Sequence, residues 1–196
     1  MNHLPAAFPP RPSRTRLAAL ALGLVLAAGA AAWGSHIVIR LGAARTAGTA
    51  EWRQVAQAYA ERHRFAVPAL QAAARAPDFD APLLEAVRGA LARAAALPGA
   101  PGLLDDPRAL DAFKRNQGEL TGVLFRLVVA AQRQPALRDD VALQALHRQL
   151  LQSEAQLAEA RERYSRLAGD YNALTRAFPD AIAARLAGYA SMPTHL

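Results

Sequence analysis

The sequence predicts an all-α protein: an elongated antiparallel bundle of four to five helices, preceded by an N-terminal transmembrane helix. Three observations lead there. Leu17–Ile39 contains no charged residue. Every long stretch after it repeats its apolar residues at helical spacing. No stretch alternates apolar and polar residues as a half-buried strand would.

Composition removes several function classes. The 196 residues suffice for one domain plus an extension. Cysteine is absent, which excludes a disulfide framework, a thiolate zinc site, an iron–sulfur cluster and a cysteine nucleophile. The net charge is +7, but Arg11, Arg14, Arg16 and Arg40 flank the apolar segment. Setting those four aside leaves 19 basic against 16 acidic residues, a mixed surface. There is no dense basic stripe interleaved with aromatics, so nucleic acid is not an expected partner.

The elements follow in chain order. Residues 1–16, with Pro5, Pro9, Pro10 and Pro12, read as a disordered Pro/Arg-rich tail. Leu17–Ile39 is long enough to cross a membrane: its residues span about 35 Å as a helix, against a hydrocarbon core of about 30 Å. Trp33 and His36 stand where amphipathic rings suit the interface. A cleaved signal peptide is the alternative, since Ala30-Ala31-Ala32 follows a basic start and an apolar run. The run resumes with Ile37, Val38 and Ile39, which favours a retained anchor. Residues 40–48, containing Gly42 and Gly48, read as a linker.

Residues 49–190 read as the bundle. Trp52, Ala56, Tyr59, His63, Ala66, Leu70 and Ala73 mark one face of the first bundle helix, with a kink expected at Pro68. Asp80 can cap the next, with Leu84, Val87, Leu91 and Ala94 along its face. Leu97–Asp106 is a Gly/Pro loop. Asp106 and Pro107 suit the start of a third helix, whose seam is Leu110, Phe113, Gln117, Leu120, Leu124, Leu127 and Ala131. The last long helix carries the clearest seam: Leu143, Leu146, Leu150, Ser153, Leu157, Ala160, Tyr164, Leu167, Tyr171, Leu174 and Phe178. Phe178-Pro179 closes it, residues 181–189 suggest a short fifth helix, and 191–196 form a tail.

No set of residues meets the demands of an acid, a base and a nucleophile, and no cofactor or metal ion is expected. His3, His36, His63, His147 and His195 are scattered, without a Glu-x-x-His pair. The carboxylates Asp105, Asp106 and Asp111 are read as helix capping. Gln117 and Ser153 interrupt apolar seams and are read as setting helix register. Asn172 and Arg176 are four apart near the end of the last long helix, off its seam. They form the one candidate interaction patch; the competing reading has them satisfying that end's backbone.

The stretch from Leu151 also carries a resemblance. Glu154, Ala160-Arg161, Tyr164, Tyr171-Asn172 and Phe178-Pro179 stand as in the final helix of the LemA family. Trp52, Val55, Arg62, Pro68 and Leu70 are similar to its first helix. Asn116-Gln117 with Leu120, Leu124, Arg126 and Leu127 is similar to its third, and Gln134-Pro135 with Leu137 to its final break. Ser165, Gln134 and Ala69 depart from the family pattern. The resemblance implies a membrane-anchored helical bundle without a known catalytic activity, and supplies no site residues. The expected function is therefore non-enzymatic: a scaffold or protein–protein interaction module. It would be a single-pass protein of a bacterial inner membrane with its bundle extracytoplasmic. Its expected partners are lipid, along Leu17–Ile39, and membrane-associated proteins. The alternative is a membrane-tethered sensor binding a small ligand between helices.

Overall fold

The computed structural model describes residues 14–195. The tail predicted for residues 1–16 therefore lies outside the described residues as far as position 13, and Arg14 already begins a helix. The elements are α1 (Arg14–Arg75), α2 (Ala81–Ala96), a 3-10 turn (Pro101–Asp105), α3 (Pro107–Arg133), α4 (Val141–Arg176) and α5 (Asp180–Leu186). There is no strand among the described residues. The architecture is the all-α antiparallel bundle the sequence predicts, with α1 and α4 as the most extensive pair and α2 and α3 as the next.

The helix starts follow from capping chemistry. Asp80, Asp106 and Asp140 each accept hydrogen bonds from backbone N–H groups of the turn that follows, which have no partner within the helix. Asp106 receives Arg108 N at 3.0 Å and Ala109 N at 3.1 Å, so this carboxylate is a cap, as read from the sequence. Asp105 instead pairs with Arg45 at 2.6 Å and Asp111 with Lys114 at 3.4 Å.

The sequence reading needs correction at several places. Residues 40–48 are not a linker: α1 runs through them unbroken, for a helix of 62 residues and about 93 Å. Gly42 and Gly48 serve packing rather than flexibility. A Cβ on Gly48 would lie 2.9 Å from Met192 Cε, and one on Gly42 would lie 3.3 Å from the Tyr189 hydroxyl. α1 also continues through Pro68, where the proline forfeits one hydrogen bond to the preceding turn. The buried face of the bundle part of α1 is Trp52, Val55, Tyr59, Arg62, Ala66, Ala69 and Ala73. His63 and Leu70 are only half-buried. Along α4 the seam is buried from Leu143 to Tyr164, then moves to Ala168, Tyr171 and Asn172. Leu167 is half-buried and Phe178 exposed. A strict 3.5-residue repeat drifts by about 20° per heptad on a straight helix, so a long seam changes phase.

The core has two apolar halves. One joins Ala66–Ala73 of α1 to Leu84–Ala94, Leu120–Ala131 and Leu143–Leu150. The other joins Ile37–Tyr59 to Leu110, Phe113, Leu157–Tyr171, Ala183, Ala184 and Met192. Trp52 centres the second half. Its ring meets Phe113 and Tyr164 edge-on, at centroid separations of 5.5 and 6.3 Å. Its Nε1 donates to Gly99 O and Ala100 O, which pins the α2–α3 connection to α1.

The first part of α1 is different. Within it lies a stretch long and apolar enough to cross a membrane, none of which is buried by the bundle. Leu20, Leu22, Leu24, Val25 and Leu26 are all exposed. Burial begins at Ile37, so the apolar segment leads straight into the core.

Candidate functional site

Between the two apolar halves lies a polar layer. Its hub is Arg62, 1% exposed. Arg62 Nη2 donates to Ser153 Oγ at 3.2 Å and Glu154 Oε1 at 2.7 Å, and Nη1 donates to Thr121 Oγ1. One guanidinium thus ties α1 to both α3 and α4. Its Cζ stands 5.4 Å from the Tyr59 ring centroid, and Arg161 Cζ stands 5.6 Å from the same ring while Arg161 donates to the Tyr59 hydroxyl. A buried charge is tolerated only when paired and hydrogen-bonded, which fixes how these helices slide past one another. Ser153 therefore interrupts its seam to meet Arg62. It does not pair with Gln117, whose Oε1 is buried without a partner among the described residues.

Next to this layer is a cavity of about 210 Å³, lined by Ala56, Tyr59, His63, Gly99, Phe113 and Gln117 among others. His63 faces this space half-buried, rather than sitting in the core. Below the layer, burial and then the negative charge of Asp105 push the Tyr164 phenol well above its ordinary pKa, so its hydroxyl stays protonated. No group of three His, Asp or Glu among the described residues is placed to hold a metal ion.

The predicted patch divides. Asn172 is not off the seam but buried, at 6% exposure. Its Nδ2 donates to Met192 O and its Oδ1 accepts from Met192 N, both at 2.8 Å. Tyr171 donates its hydroxyl proton to Ala190 O at 2.9 Å. The expected free tail after residue 190 is thus docked, with Met192 in the core. Arg176 is exposed at the end of α4. The Asn172→Ala variant should lose about 2 kcal/mol, because two buried backbone groups of Met192 lose their partners. Arg176→Ala should stay within about 0.5 kcal/mol. Chemical denaturation of the two variants checks the contrast.

These positions have a common bearing on ancestry. Trp52, Arg62, Glu154, Tyr164 and Asn172 carried the resemblance in the sequence, and all five lie along the contact of α1 and α4 or its ends. The family model described as LemA family matches residues 51–195. The chain belongs to the LemA family. No curated protein and no solved structure matches it. The LemA match starts inside α1, so the family region and the apolar segment share one helix.

Sequence reading missed the Arg62 hub. The signal was present in Ser153, the only polar residue in its seam, but Arg62 itself counts as polar in any hydrophobic pattern. The hydrophobic pattern therefore points to the neighbouring face, through His63. The cavity had no sequence signal, since it arises where α1, α2 and α3 meet.

Proposed function

We propose that this LemA protein is a non-enzymatic, single-pass membrane protein that presents its bundle as a scaffold or protein–protein interaction module. The continuity of α1 carries this reading. One helix includes both the exposed apolar stretch and the core positions Ile37, Leu41, Trp52 and Arg62. The bundle is then held at a set height and rotation relative to a bilayer, which suits a presenting role. The setting is a bacterial inner membrane. The N-terminus lies inside and the bundle outside: Arg11, Arg14 and Arg16 on one side equal Arg40, Arg45 and Arg53 on the other, and the α-amino group and Glu51 tip the balance.

N-terminal sequencing and intact mass of the membrane fraction test the anchor: the expected chain keeps Leu17–Ile39. A mature chain starting near Trp33 overturns it. Sidedness is tested with Val141→Cys in the cysteine-free background. A membrane-impermeant maleimide should label it in intact spheroplasts, and protection there would place the bundle inside. A pull-down with the full chain should then return stoichiometric membrane-associated proteins.

The cavity beside Tyr59 and Gln117 favours a second reading, a sensor for a small ligand. At about 210 Å³ it is below the size of drug-sized sites, typically about 300–1,000 Å³, and matches a single small ring. Under that reading a phenol titration raises stability by about 2.7 kcal/mol at a hundredfold excess over Kd. An unchanged melting curve removes it.

A further inference from the structure

We propose that the outer face of α5 is a second membrane contact, seated in the lipid interface beside the point where α1 leaves the bilayer. This rests on Leu17–Ile39 being the anchor, and adds to it a peripheral contact made by the other end of the chain.

Phe178, Ile182 and Leu186 recur every fourth residue and are 84%, 52% and 85% exposed. That spacing puts Ile182 and Leu186 along one side of α5, while Phe178 is exposed in the turn that precedes the helix. The opposite side carries Ala183 and Ala184, buried against the core. A short helix that turns its small residues inward and its large apolar residues outward is amphipathic in the wrong sense for a water-exposed surface. Large apolar side chains exposed together at one end of the bundle mark an interaction surface.

The position identifies what meets that surface. Ala183 and Ala184 belong to the same apolar cluster as Ile37 and Leu41 of α1. Tyr189, just after α5, stands 3.5 Å from Val38 O, which its hydroxyl faces as donor. So α5 is packed on α1 at the last residues of the apolar segment, where a spanning helix passes from acyl chains to headgroups. Ile39 is itself 69% exposed there, continuing the apolar surface from the anchor. Arg40, Arg176 and Arg185 are exposed around this end, and none of them is in an ion pair among the described residues. Apolar side chains with free arginines at their margin are what an anionic lipid interface accommodates.

The experiment uses the full chain, whose lack of cysteine permits single-site labelling. Leu186→Cys carries an environment-sensitive fluorophore, in vesicles of phosphatidylcholine and phosphatidylglycerol with or without brominated acyl chains. Val141→Cys, at the far end of the bundle, is the water-exposed reference, and Leu24→Cys reports the anchor. The label at 186 should shift to the blue and lose most of its emission to the brominated lipid, while the label at 141 does neither. A label at 186 that behaves like the one at 141 overturns the proposal. A blue shift without bromine quenching also overturns it, in favour of a protein cover such as a second copy. The label at 24 judges the anchor separately: quenching at 24 but not at 186 leaves the anchor standing and removes the α5 contact.

Discussion

Leu157→Asp should unfold the bundle. Leu157 is 1% exposed in the apolar half of the core built around Trp52. A carboxylate there loses its hydration inside an apolar cluster. The cost is at least several kcal/mol, comparable to the roughly 5–15 kcal/mol by which a typical domain is stable. Two residues on, Glu159 is 73% exposed and its one ion pair, to Arg163 at 3.7 Å, is long. Glu159→Ala should therefore change stability by less than about 0.5 kcal/mol. Circular dichroism melts of the two variants should differ by the presence or absence of a cooperative transition. Similar melts would place the seam of α4 elsewhere.

The second large effect concerns the polar layer. Glu154→Ala should destabilise the protein by about 3 kcal/mol, toward the low end of what breaking a buried pair costs. The Arg62 guanidinium stays buried in that variant and keeps only the neutral hydroxyls of Thr121 and Ser153. The partly exposed carboxylate side of the pair keeps the figure from being larger. Arg62→Met separates charge from packing. It fills most of the same space without a charge, and Glu154, 46% exposed, then turns to water. Its cost should fall clearly below that of Glu154→Ala. Denaturant titrations give both numbers, and the reverse order would show that the hydrogen bonds of Arg62, not its unpaired charge, dominate.

The bundle was legible in the sequence wherever burial and hydrophobicity coincide. The α3 seam from Leu110 to Ala131 is buried at each predicted position, and Asp80, Asp106 and Asp140 cap as their chemistry requires. Legibility failed where side-chain type and environment part company. Arg62 is a charged residue in the core, Phe178 an aromatic that the bundle leaves exposed, and Gly48 a glycine inside a helix. Each has a tertiary cause: a layer assembled from three helices, an unpaired face on α5, and a methionine from the far end of the chain lying against the α1 backbone. Asn172 failed for the same reason. Its position late in α4 suggested an exposed polar face, but the tail after Tyr189 returns to cover it.

With its apolar segment anchored as proposed, the unbroken α1 would make the protein a lever. Beyond Ile39 it continues as one helix for about 54 Å to Arg75. Membrane helices adopt tilts between about 0° and 40°, set in part by the match between apolar length and bilayer thickness. A change of about 10° at the anchor would carry the far end of α1 sideways by roughly 9 Å, given the helical rise. Because α4 is clamped to α1 at Arg62 and again at the docked tail, the whole bundle swings with it. If Leu17–Ile39 spans a bilayer as proposed, thinning or thickening of that bilayer would be converted into displacement of a surface outside the lipid.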